Sequence, residues 1–311
     1  MRLDDVPESE NIEDRRGDGS GGGGFGLPMG MGGGGLGIGT MVVLGIIGYA
    51  LGIDPRLLIG GAEVLTGGGQ SYQQPASPPR TSGKVGKPSD DMGKFVAQVL
   101  KTTEVEWKKL FEQAGQRYRN PTLVMFSGAT RADQCGQAQS AMGPFYCPSD
   151  QKIYLDTSFF RDLERRFRGC DAGSPSCQFA QAYVIAHEVG HHVQNQLGIL
   201  PKVQQQQRGM NKTEANHLQV KVELQADCFA GIWANHSGED WKNLIQPGDV
   251  EAAMKTAAAI GDDRLQKQAQ GYVIPDSFTH GSSEQRQRWF QTGLKSGSVQ
   301  ACNTFAPTAQ L

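Results

Sequence analysis

Five consecutive residues, His187-Glu188-Val189-Gly190-His191, form an HExxH sequence inside the largely apolar run of residues 179 to 197. Helical residues four apart share a face, so His187 and His191 can aim two imidazole nitrogens at one metal ion. Glu188 lies one residue round the helix, beside the position such an ion leaves open. Two neutral nitrogen donors and a carboxylate that can take a proton from an activated water are the requirements of a zinc hydrolase. The neighbours Tyr183, Val184, Ile185, Val189 and Val193 are apolar. The motif is therefore expected in the interior, where its polar groups need partners.

A catalytic zinc takes three protein ligands and keeps a fourth position for solvent, so another donor must lie elsewhere. Glu223 is the candidate. It opens Glu223-Leu224-Gln225-Ala226-Asp227, and Cys228, Phe229, Ala230, Ile232 and Trp233 continue an apolar helical pattern. Glu223 and Asp227 share one face of that second helix, which suits a ligand carboxylate and a second carboxylate that accepts a hydrogen bond from a ligand imidazole. His192 points about 100° away from His191 and cannot join the same tetrahedral site. His217 and His236 stand alone, and no serine sits in a GxSxG elbow.

HExxH on one helix with Glu-x-x-x-Asp on a later one is similar to the gluzincin metallopeptidases. More particularly, the chain resembles the bacterial neutral zinc metallopeptidase family in four blocks. These are Gly143-Pro144-Phe145-Tyr146-Cys147-Pro148 with Ile153-Tyr154-Leu155-Asp156, then Ala186 with the HExxH sequence and His192, then Glu223 to Cys228, then Thr279-His280-Gly281-Ser282-Ser283-Glu284-Gln285-Arg286. Ile12-Glu13-Asp14-Arg15-Arg16-Gly17 is a further similar stretch. The resemblance implies zinc held by His187, His191 and Glu223, Glu188 as general base, and Asp227 behind a ligand histidine. Related membrane proteases carry a late His followed six residues on by Arg, as His280 and Arg286 do here. By that analogy His280 would donate to the oxyanion and Arg286 would brace a carboxylate or the substrate. Where those enzymes have proline after the histidine, this chain has Gly281. The residues alone read equally well as a turn before a helix that starts at Gly281-Ser282-Ser283-Glu284.

The elements that must position these groups form an α+β pattern. Val96, Val99, Leu100, Thr103, Trp107, Leu110, Phe111 and Ala114 make a helical stripe, and strands are expected at residues 122 to 126 and 152 to 155. A small β-sheet would cover the two metal-bearing helices in a zincin-like domain of residues 92 to 303. Residues 152 to 155 are the candidate edge on which an extended peptide or protein substrate would lie, although their alternation is too short to decide between an edge and a central strand.

The first third differs in kind. Residues 1 to 35 are acidic and then Gly-rich, expected to be disordered. Residues 36 to 53 carry no charge, just enough for one transmembrane helix in an anchor spanning 36 to 56 and contacting the lipid bilayer. Residues 57 to 91, rich in Gly, Ser, Gln and Pro, read as a linker. Arg2, Arg15 and Arg16 before the anchor against Arg56 just after it favour a cytoplasmic N-terminus and a periplasmic or other extracytoplasmic domain in a bacterial membrane. Six cysteines, all beyond the anchor, agree with an oxidising compartment. Cys135 with Cys147 and Cys170 with Cys177 could close local loops, although fifteen connectivities are open. A net charge of −2 without a basic stripe argues against a nucleic-acid ligand.

The expectation is a membrane-anchored zinc endopeptidase. A zinc amidase acting on cell-wall peptides and a catalytically silent zinc-bound scaffold are the alternatives, and the presence of Glu188 weighs against the last, because a structural site needs four closed ligands and no base.

Overall fold

The computed structural model describes residues 1–17, 84–132, 135–171 and 174–311. Its frame is a five-stranded sheet in the order β2-β1-β3-β7-β6, formed by Ile12–Asp14 (β1), Lys84–Val85 (β2), Thr122–Phe126 (β3), Phe145–Cys147 (β6) and Lys152–Asp156 (β7). Strands β1, β3 and β7 are parallel, with antiparallel β2 and β6 at the two edges. Ala129–Ala132 (β4) and Gly136–Gln139 (β5) form a separate hairpin.

Side chains alternate across the sheet with period two. Ile12, Leu123, Met125, Ile153 and Leu155 face the helices, whereas Val124, Phe126 and Tyr154 pack with Ala132 and Ala138 of the hairpin. Both faces are thus covered, as parallel strands require. Strand β7 lies between β3 and β6, so of the two positions open to residues 152 to 155 it takes the central one and is not the candidate edge. The outer strand is β6, whose three residues are too short to show a period.

The expected stripe forms α1, Asp91–Gln113, capped by the Asp90 side chain on the Gly93 amide at 3.0 Å. After α2, Phe159–Arg165, come α3, Pro175–Gln196, and α4, Ile199–Gln207. The long α5, Lys212–Asp240, begins with a capping box between Asn211 and Glu214. Then follow α6, Asp249–Ala259; α7, Asp262–Gln270; and α8, Ser283–Ser296. The sheet rests on α3 through β6 and β7, while α5 packs chiefly against α8 and α3. The sheet therefore covers mainly the first of the two candidate metal helices. Helices α5 and α8 cross at backbone contact: a Cβ at Gly293 would sit 1.9 Å from the Cys228 carbonyl oxygen, and one at Gly231 2.1 Å from that of Phe290.

Residues 1–17 belong to this domain and are not a disordered segment. Ile12 and Ser9 are fully buried. Glu13 pairs with Arg15 at 2.8 Å and Lys152 at 2.9 Å, and Arg16 joins Asp14 to Asp90. Composition misled here, because an acidic and basic run of this kind satisfies itself within a sheet margin. Residues 84 to 91 likewise contribute β2 and the α1 cap rather than linker, and Thr304, fully buried, extends the domain past residue 303. The anchor expected at 36 to 56 lies outside the described residues. Among the described residues no helix is long and apolar enough to cross a membrane.

All six cysteines are paired: Cys135 with Cys147, Cys170 with Cys177, and Cys228 with Cys302. The first ties the hairpin to β6, the second closes the loop before α3, and the third fastens α5 to the C-terminal segment.

Candidate metal centre

The central turns of α3 and α5 lie against each other because the motif glycine allows it. A Cβ at Gly190 would stand 3.0 Å from the Ala226 carbonyl oxygen and 3.1 Å from its Cα. This contact brings His187 and His191 of α3 to Glu223 of α5. Glu223 Oε2 is 3.2 Å from His187 Nε2 and 3.4 Å from His191 Nε2. The three donor atoms lie within 4.8 Å of one another. A tetrahedral zinc with bonds of about 2.0 to 2.1 Å separates its ligands by about 3.3 Å. Two of the three edges already have that length, and the His, His, Glu donor set suits the ion.

Each donor is held from behind. Asp227, fully buried, accepts from His187 Nδ1 at 2.8 Å, from the Tyr183 hydroxyl at 2.6 Å, and from Arg286 Nε and Nη2, both at 2.9 Å. Burial would raise the Asp227 carboxyl, but Arg286 and His187 outweigh it and hold it down at about 2. An ionised carboxylate only accepts, so Nδ1 of His187 carries the proton and Nε2 presents its lone pair. On His191, Nδ1 donates to Gln194 Oε1 at 2.9 Å; Gln194 in turn donates to the Val222 carbonyl at 2.7 Å and to Gln225 Oε1 at 3.0 Å. Gln225 donates to the Cys302 carbonyl at 2.9 Å, which carries this relay to the disulfide. Gln219 donates to Glu223 Oε1 at 2.8 Å, leaving Oε2 for the cluster.

Burial would raise the Glu223 carboxyl too, yet the two imidazoles bring it well below the usual carboxylate range. Glu223 in turn overcomes the burial of His191 and lifts that ring to about 9. Glu188 is different. It is buried, burial raises its carboxyl, and its Oε2 has no hydrogen-bond partner among the described residues. An orphaned acceptor beside three converging donors is the expected state of a group that works on a bound molecule.

His280 stands just before α8, with Ser282 as the N-cap and a capping box to Gln285, so the helix start read from sequence is present. The same residue lies near enough to the cluster for its charge to lower both the Glu188 and the Glu223 carboxyls. Asp262, at the first turn of α7, was not visible in the sequence as a site residue. Its Oδ2 accepts from the amides of Thr279 and His280, both at 2.6 Å, and of Gly281 at 3.2 Å, while Oδ1 lies 3.3 Å from His280 Nδ1. Its only sequence signal is a position at a helix start, where many aspartates sit for capping alone. Tyr183 and Gln194 were missed for a similar reason, as they look like filler within an apolar helix. His192 stays out of the site, donating Nε2 to the Arg119 carbonyl at 2.6 Å and pushed down to about 4 by burial.

Comparison with known proteins places the chain in a family. The family model described as "Putative neutral zinc metallopeptidase" matches residues 1–305. The uncharacterized protein YpfJ of Escherichia coli (strain K12) is 47% identical over 305 residues, covering 98% of this chain and 99% of that one. The uncharacterized protein Mb2605 of Mycobacterium bovis is 40% identical over 228 residues, covering 70% of this chain and 73% of the relative. No solved structure matches the chain.

Proposed function

Since the chain belongs to the neutral zinc metallopeptidase family, we propose that it is a zincin-like endopeptidase in which His187, His191 and Glu223 hold the zinc and Glu188 is the general base. The observation that carries this reading is the set of three donors, two of whose edges have zinc-ligand spacing, beside a buried Glu188 oxygen without a hydrogen-bond partner among the described residues. Zinc, when bound, polarises water and the scissile carbonyl so that attack proceeds at neutral pH.

The remaining steps belong to side chains. Glu188 takes the proton of the attacking water and passes it to the leaving amine. The burial that raises its carboxyl makes it a better base than an exposed glutamate. His280, held through Nδ1 by Asp262, directs its other nitrogen to the oxyanion of the tetrahedral intermediate, a contact worth about 3 to 4 kcal/mol. Arg286 touches no substrate in this scheme; it braces Asp227, which orients His187. The peptide lies along β6 by strand addition. That strand is tied to the metal helix through the Tyr146 hydroxyl, 3.0 Å from His192 Nδ1. The three disulfides support an oxidising, extracytoplasmic place of work.

Glu188→Gln tests the assignment. The variant should bind one zinc per chain by metal analysis and lose at least about 1,000-fold in hydrolysis of an unfolded protein substrate, a loss that about 4 kcal/mol of barrier represents. Turnover that survives the substitution would refute Glu188 as the base.

A further inference from the structure

The strand order constrains how this chain can meet a membrane. Strand β1 sits between β2 and β3, pairing Glu13 with Val85 on one side and Ile12 with Leu123 on the other. Backbone bonds run from Leu123 N to the Asn11 carbonyl at 2.9 Å, from Arg15 N to that of Met125 at 2.8 Å, and from Gly86 N to that of Ile12 at 3.0 Å. Further back, Ser9 and Asn11 donate to Glu104 at 2.6 and 2.7 Å, and Gln98 donates to the carbonyls of Leu3 and Val6, both at 2.9 Å. Paired strands are about 4.8 Å apart, whereas the hydrocarbon core of a bilayer is about 30 Å thick.

We propose that residues 1–17 and residues 84–311 lie on the same side of the membrane, and that the chain between them does not cross it. Any odd number of crossings between Gly17 and Lys84 would set β1 on the opposite face from both of its partners. Two crossings by helices need about 20 apolar residues each. The sequence between the strands offers only one long uncharged apolar run, residues 36 to 53, followed by Asp54 and Arg56. A single-pass anchor with the N-terminus opposite the domain is therefore incompatible with this sheet. The conclusion stands whether or not the metal site is a peptidase.

Labelling of the full chain in its host tests it. Asp5 and Gln205 are exposed, one in each of the two segments, and the six native cysteines are paired, so Asp5→Cys and Gln205→Cys each introduce one reactive thiol. A membrane-impermeant maleimide applied to intact spheroplasts should label the two variants to the same extent relative to lysed controls. Labelling of one with protection of the other overturns the proposal. A second measurement needs no thiol: Ile12→Asp should lower the melting temperature of the full chain by roughly 5 to 10 °C or abolish folding. A domain whose stability ignores that substitution has no β1 in its sheet, and the proposal then fails.

Discussion

Replacing Asp227 by Asn removes a charge while keeping the shape of the residue that the whole site leans on. The wild-type carboxylate accepts four hydrogen bonds, from His187, Tyr183 and twice from Arg286. Its carboxyl sits at about 2 against an ordinary value of 3.8, a difference of roughly 2 to 3 kcal/mol. The same loss seen from Arg286, which is 3% exposed, is a buried guanidinium without a counter-charge, at about 3 to 5 kcal/mol. These are two views of one interaction and do not add. We expect Asp227→Asn to unfold about 3 kcal/mol more easily at pH 7 in denaturant titrations of the metal-free protein. Because the folded carboxyl is lowered, its contribution is present above pH 3.8 and is lost as pH falls through about 2. Wild type and variant should therefore converge as the pH falls below about 4.

The metal readout is separate. Without the acceptor that fixes its tautomer, His187 should bind zinc more weakly by about 10- to 100-fold, measured by competition with a chromophoric chelator. Adding Arg286→Leu to Asp227→Asn removes the stranded cation and should restore much of the stability. It should not restore zinc affinity. A variant that binds zinc within twofold of wild type, or a double variant that recovers both quantities together, would refute the claim that Asp227 acts on the metal through His187.

Three further outcomes follow from particular contacts. Gly190→Ala places a Cβ 3.0 Å from the Ala226 carbonyl oxygen, so it should separate α3 from α5 by a few tenths of an ångström and weaken zinc binding in the same chelator assay; unchanged affinity would show that the helix contact does not set the ligand triangle. Asp262→Asn should lower kcat with little change in KM and shift the alkaline side of the pH profile, because burial and the Asp262 carboxylate act in opposite senses on His280 and the carboxylate wins; an equal rise in KM alone would make Asp262 merely structural. Glu106, 2% exposed, is pushed up to about 8 by burial and by Asp240, so the folded state binds the extra proton and stability should fall as pH rises from 4.5 to 8, by at most about 5 kcal/mol. Glu106→Gln should flatten that slope and raise the melting temperature at pH 8, and a slope unchanged in the variant would exclude Glu106 as its source.

What could be read from the chain divides along physical lines. His187, Glu188 and His191 are legible because a helix converts a spacing of four into one face, and Glu223 with Asp227 repeats the same geometry. The strands at 122 to 126 and 152 to 155 were visible as short β-branched and aromatic runs, but their neighbours were not. Order within a sheet is a long-range property, and nothing near residue 152 announces that β6 rather than β7 lies at the edge. Strand β1 was hidden for a related reason: three residues followed by a glycine-rich stretch have no periodicity, and their stability comes from Lys152, Asp90 and Glu104, far along the chain. Asp262 belongs to this class too, since its role exists only once Thr279, His280 and Gly281 fold over it.

Gly281 shows how a departure from a resembling sequence acquires a cause. Its φ of +93° cannot be adopted by proline, whose ring holds φ near −65°. The amides of Thr279, His280 and Gly281 converge on Asp262 only because the chain turns at this point, so the glycine and the aspartate form one device for presenting His280. A proline at 281 would remove one of those three amide donors and force the turn open. In this chain the carboxylate under the loop therefore takes over the placement of the histidine that a rigid following residue could otherwise provide.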